Sequence, residues 1–191
     1  MTAYPDRLLS ARRAERSPLL VPVLGALGYA GCVIAYLPLL TLFLPLRIEQ
    51  IAAEARFGFL ATVMIAGAAM ASISGIVFGW LSDLTLDRGG GRRSWIAAGL
   101  VATVTSYVGI ASARTPEMLV VAVVVFQLSL NIALTPLVAL LAEESLDHQK
   151  GLLSALLAAA QPLGAVVGLV LAKWAAPALG LRLGAIAAVS V

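Results

Sequence analysis

Five stretches of this chain contain no charged side chain: 17–46, 57–82, 94–113, 118–142 and 151–172. Each reaches the roughly 20 residues that a helix needs to cross the hydrocarbon of a bilayer. Periodicity does not separate a buried helix from a strand here, but length does. A barrel strand needs only about 9–11 residues and alternates in polarity. The runs therefore read as helices. A sixth run begins near Leu179, carries Arg182 close to its start and reaches only Val191. Thirteen residues do not span a membrane unaided, so an incomplete sixth helix is expected. The predicted spans are about 19–45, 57–82, 94–113, 118–142, 151–174 and 179–191, forming a bundle over 17–191.

Composition agrees. Hydrophobic residues make up 61% and charged residues 12% of the sequence, against roughly 25% charged in soluble domains. Mean hydropathy is +0.98, so a soluble protein is excluded. The polar segment 1–16, with Arg7, Arg12, Arg13 and Arg16, reads as a cytoplasmic tail. The thirty residues that follow it exceed the about 7–15 of a signal-peptide core, so they read as a retained first span. A net charge of +3 and a pI near 9.4 raise the question of nucleic acid. The basic residues sit at the ends of apolar runs and not on one face, which fits membrane topology and excludes a nucleic-acid partner. The single cysteine, Cys32, excludes an intramolecular disulfide.

Orientation follows from those basic residues. With the N-terminus inside, the inner segments carry eight (Arg7, Arg12, Arg13, Arg16, Arg88, Arg92, Arg93 and Lys150). The outer ones carry five (Arg47, Arg56, Arg114, Lys173 and Arg182). The excess, concentrated in the short 88–93 segment, predicts a cytoplasmic N-terminus. Trp80, Trp95 and Trp174 fall near predicted span ends, as an aromatic belt would place them.

The most distinctive stretch is Gly79–Arg93, with Asp83, Asp87, Arg88, Arg92, Arg93 and the consecutive glycines 89–91. A centrally placed Asp or Arg costs roughly 2.5–3.5 kcal/mol in a bilayer even on the gentler insertion scale. This stretch is thus expected to form a polar turn between spans 2 and 3. Two kinds of stripe mark the spans themselves. Span 2 repeats Gly67, Ala71, Gly75 and Gly79 every fourth residue, and span 5 repeats Ala160, Gly164 and Gly168; such faces let helices approach closely. Span 1 aligns Tyr29, Cys32 and Tyr36, and span 4 aligns Gln127, Asn131 and Thr135. These polar stripes read either as interhelical hydrogen bonding or as the lining of a cavity. Gln161 beside Pro162 either adds to such a lining or satisfies backbone groups freed by the proline.

Gly79-x-x-Ser82-Asp83-x-Thr85-x-x-Arg88, followed by Gly91, Arg92 and Arg93, resembles the loop between helices 2 and 3 of the major facilitator superfamily. It is closest to the form in glycoside–pentoside–hexuronide symporter-like members. It departs from that form at Leu84, where an arginine is usual, and in a glycine run one residue longer. Phe126, Gln127, Asn131, Thr135, Pro136, Ala139, Leu140, Ala142 and Glu143, then Gln149-Lys150-Gly151, resemble helix 4 and its loop in the same transporters. With both motifs at the right separation, the resemblance covers about residues 20–175.

The resemblance implies an all-α membrane protein: the N-terminal six-helix bundle of a twelve-helix transporter, with its sixth helix truncated. It implies a conformational gate formed by Gly79, Asp83, Arg88, Gly91, Arg92, Arg93 and Glu143. It also favours a solute cavity lined by Tyr29, Tyr36, Gln127, Asn131 and Gln161. The partners expected are a small polar solute, the lipid bilayer, and either a C-terminal transporter half or a second copy. Without the resemblance, a half-transporter that pairs with itself and a membrane scaffold or assembly factor both stay open. Enzyme chemistry is not expected. No run holds a carboxylate, and one His and one Cys do not make a zinc site, so no cofactor or metal is predicted. The lack of carboxylates within the runs also gives ion coupling no evident residue in this half.

Overall fold

The computed structural model describes residues 20–51, 54 and 56–174 of the chain; the predicted tail over 1–16 and the predicted sixth span over 179–191 lie outside them. Every element among the described residues is helical. Helix α1 runs as α-helix over Leu20–Pro38, as π-helix over Leu39–Phe43 and again as α-helix over Leu44–Ile51. Then come α2 (Arg56–Asp87), α3 (Arg92–Ser112) and α4 (Pro116–Glu144). A 3₁₀ turn at Asp147–Gln149 leads into α5 (Lys150–Trp174). Five helices, against the six predicted, are therefore long and apolar enough to cross a membrane among the described residues. The chain has the character of a multi-pass membrane protein.

The helices overrun the apolar runs that announced them. The first continues through Arg47 and Glu49, and the second through Asp83 to Asp87. A charge ends a hydrophobic run but does not break a helix. At about 1.5 Å per residue, the 32 residues of α2 extend well past a hydrocarbon core of about 30 Å, so its acidic end can lie among headgroups. The expected polar turn over 79–93 is accordingly narrower, with only residues 88–91 non-helical. Glycine makes that stop. Gly89 adopts φ +80, and the Gly90 N–H reaches back to the Thr85 carbonyl at 2.9 Å. A Cβ on Gly90 would lie 2.6 Å from Thr85 Cγ2, so the left-handed stop excludes larger residues at that point. The start of α4 follows the usual rules: Pro116 occupies the first turn and the Thr115 hydroxyl accepts the Met118 N–H at 3.3 Å.

Helix α4 is the hub, packing against α3, α2 and α1, while α5 packs mainly on α1 and the α2–α3 contact is slight. Small residues set these crossings. A Cβ on Gly99 would fall 2.3 Å from the Ala133 backbone nitrogen, which is how closely α3 meets α4. Gly67, Gly75 and Gly79 of α2 face Gln127, Asn131 and Thr135 of α4. On the other side Gly164 and Gly168 of α5 lie against Val33 and Pro38 of α1, where the π-helical segment begins. Pro38 has no N–H to give to the preceding turn, and the wider π turn absorbs that break. Phe43, Leu39, Ile48 and Phe126 fill the centre. The Tyr107 ring tilts against Phe126 at 5.6 Å and its hydroxyl donates to the Ala35 carbonyl at 2.6 Å. Outward faces carry Ile65, Ile73, Ile76, Leu163 and Val166, side chains that suit contact with lipid.

Candidate gating site

The ends of three helices meet at one buried guanidinium. Arg92 is the first residue of α3, and its side chain is only 4% exposed. Its Nη1 donates to Ser82 Oγ at 2.7 Å and one Nη2 bond runs to Asp83 Oδ1 at 2.6 Å, both in the last turns of α2. Nε and Nη2 together clasp Glu143 at the end of α4, at 3.1 and 2.6 Å. Arginine suits this position because its fork bonds a carboxylate through two parallel N–H groups and never loses its charge. Ser82 is fully buried and its hydroxyl donates to the Gly79 carbonyl at 2.8 Å, so the hydroxyl is satisfied on both sides.

A second contact sets the geometry of the turn. The Trp95 indole donates to Thr85 Oγ1 at 3.1 Å, Thr85 donates to the Leu81 carbonyl, and Phe78 lies 5.9 Å from the Trp95 ring. Together with Arg92, these contacts tie α2 to α3 at this end, although the two helices scarcely touch elsewhere. Asp83 remains 60% exposed and Glu143 45%. One arginine thus joins two carboxylates that still have room for another donor.

Of the predicted gate residues, the structure brings together Asp83, Arg92 and Glu143; the Gly79 carbonyl accepts the Ser82 hydroxyl, and Gly91 is the residue before Arg92 at the start of α3. Arg88 and Arg93 are exposed, and no described hydrogen bond or ion pair engages either. Ser82 belongs to the cluster although the sequence reading did not assign it there; its position directly before Asp83 on a helix was the available signal. Arg47 was also missed. At the opposite end of the bundle its Nη2 donates to the Ala113 carbonyl at 2.6 Å and to Ala111 at 3.3 Å, closing the last turn of α3 from α1. A cation at that position complements the helix dipole.

The predicted cavity residues separate into two groups. Tyr36 and Gln161 are hydrogen-bonded across α1 and α5, with Tyr29 beside them. Gln161 is exposed and the tyrosines are half-buried. Gln127 and Asn131 are instead buried, at 8% and 9% exposure, between α4 and the glycine face of α2. Asn131 Nδ2 donates to the Gln127 carbonyl at 2.9 Å. In this conformation those two side chains serve packing. Among the described residues no group of three or more His, Cys, Asp or Glu side chains is placed to hold a metal. No protein-family model matches the chain, and neither a curated protein nor a solved structure is significantly similar to it.

Proposed function

We propose that this chain is the N-terminal half of a secondary transporter of the major facilitator type, with its N-terminus in the cytoplasm. It moves a small polar solute across the cytoplasmic membrane by alternating access. The observation that carries the reading is an exchange symmetry in the helix pairing. In a three-plus-three inverted repeat, α1 corresponds to α4 and α2 to α5. The α1–α5 and α4–α2 pairings are then images of one another. The two are almost equally extensive, and in each the small-residue face of one helix lies against the other.

The Arg92 cluster supports the same reading. It locks the cytoplasmic ends of α2, α3 and α4 into one unit, and the exposed Asp83 has room for a helix N-terminus of the second half. Such a contact exists only while the cytoplasmic side is closed, so it holds the outward-facing state. The solute contacts on this half are Tyr29, Tyr36 and Gln161. Two hydroxyls and an amide suit an uncharged hydrogen-bonding solute such as a glycoside.

The test uses single cysteines in the protein joined to its second half. Cys32 is 2% exposed and gives little background. Gly91→Cys is preferable to a substitution at Gly90, because nothing lies within 4 Å of a Cβ at 91. The reading expects Gly91→Cys to label from the cytoplasmic side and Glu54→Cys from outside, with Asp83→Asn increasing cytoplasmic labelling of the pathway and slowing uptake. Unchanged labelling and uptake in Asp83→Asn would reduce the cluster to a topology signal. Solute flux through 1–191 alone would replace the half-transporter with two copies sharing one pathway.

A further inference from the structure

At the end of the bundle opposite Arg92, α3 and α4 leave a groove of about 740 Å³ between them. Thr105, Ser106 and Gly109 of α3 line it with Val121, Ala122 and Val125 of α4, and Glu117 stands at its mouth. None of these α4 residues belongs to the row that meets α2, which is Val123, Gln127 and Asn131, or to Leu137 and Leu141, which meet α1. The groove therefore opens on the outer flank of the bundle. It exists because small residues stand where larger ones would fill it. The hydroxyls in it are turned inward: Thr105, Ser106 and Ser129 donate to the carbonyls of Val101, Thr103 and Val125. What remains is a largely apolar trough within the range of about 300–1,000 Å³ that ligand sites occupy.

We infer that this groove holds one acyl chain of a bilayer phospholipid that bears both a phosphate and a primary ammonium, such as phosphatidylethanolamine. The membrane surrounding α3 and α4 supplies the chain directly, and hydrocarbon requires no polar partner that the trough lacks. Glu117 at its mouth and Arg114 in the adjoining turn select the headgroup. Arg114 is exposed in the α3–α4 turn and Glu117 lies three residues further on, beside the apolar walls. An anion at the mouth and a cation in the adjoining turn complement an ammonium and a phosphate on one headgroup, through charge-assisted hydrogen bonds. An anionic headgroup without the ammonium meets Glu117 unpaired. The site rests on the helices alone and is independent of transport.

Native mass spectrometry of the purified 191-residue chain tests it, titrating palmitoyl-oleoyl phosphatidylethanolamine against phosphatidylglycerol of the same chains. One phosphatidylethanolamine should be retained in preference to phosphatidylglycerol, and Glu117→Gln should remove the preference while the lipid itself still binds. Two variants fill the trough. A Cβ at Gly109 meets Ala122 Cβ at an ordinary 3.9 Å, so Gly109→Phe projects into the groove. Val121, 61% exposed, can become Trp without disturbing the packing between helices. Each should lower retention about tenfold or more, because the acyl surface is no longer covered. Unchanged retention in both variants would overturn the acyl site. Equal binding of the two lipids by the unaltered chain would overturn the headgroup assignment.

Discussion

Replacing Arg92 with methionine keeps an unbranched stem out to the position of Nε but removes the charged head that joins three helix ends. The unaltered residue makes one bond to Ser82, one to Asp83 and two to Glu143. Hydrogen bonds to charged groups contribute about 1.5–3 kcal/mol each when buried, and breaking a buried ion pair costs about 3–5 kcal/mol. Here the guanidinium is 4% exposed, but the carboxylates are 60% and 45% exposed. Water therefore takes over most of the work once the arginine is gone, and the Asp83 pair behaves nearly as a surface pair of about 0–1 kcal/mol. Ser82 keeps its bond to Gly79 and is not left unsatisfied. The expected loss is about 2 kcal/mol, most of it from the two-pronged Glu143 contact. Since about 1.4 kcal/mol is tenfold, the folded-to-unfolded ratio should fall by roughly 30-fold.

Equilibrium unfolding in mixed micelles, followed by Trp fluorescence, measures this loss. A double-mutant cycle with Glu143→Gln and Asp83→Asn then apportions it. The Arg92–Glu143 coupling should exceed the Arg92–Asp83 coupling about twofold, having two bonds against one. A coupling to Asp83 equal to or larger than that to Glu143 would refute the reasoning, as would a loss of 4 kcal/mol or more, which belongs to a fully desolvated pair.

Other substitutions probe the rest of the bundle. Gly99→Leu must push α3 away from the Ala133 backbone and should cost at least about 1–3 kcal/mol in the same micelle unfolding, whereas Gly58→Leu, with nothing within 4 Å, should cost almost nothing. Arg47→Gln should weaken the final turn of α3, seen as faster amide hydrogen exchange there with little change around Arg92. Tyr36→Phe removes one hydrogen bond to Gln161 and should alter stability by only about 0.6 kcal/mol, while lowering solute uptake if that pair faces the pathway.

The helices were legible in the sequence because a charge-free run of twenty residues has few physical solutions. Their true ends were not, since Asp83 and Glu49 mark where hydrocarbon stops and leave the helix intact. The glycine run 89–91 was the better terminator, and Gly89 shows why: its φ of +80 suits glycine far better than a residue with a side chain. The stripes predicted close packing but not its partners. Nothing in Gly67, Gly75 and Gly79 says that they will meet Gln127, Asn131 and Thr135, because that depends on how α2 and α4 cross. For the same reason the five polar residues predicted to line one cavity divide between a buried seam and an open α1–α5 group. Charge gave the composition of the Arg92 cluster but not its hub. Among Arg88, Arg92 and Arg93, only Arg92 is the first helical residue after the turn, where its fork can reach both neighbouring helix ends. The closure of α3 by Arg47 joins residues 64 and 66 positions apart and left no local mark.

Solute uptake tests the central proposal most directly. The chain is reconstituted into liposomes alone and joined to a second set of six spans, with a panel of labelled glycosides outside. The account predicts uptake only by the joined protein, slowed by Asp83→Asn and by Arg92→Met, and none by residues 1–191 alone. Uptake by the 191-residue chain alone, or uptake by the joined protein that is indifferent to both substitutions, would contradict it.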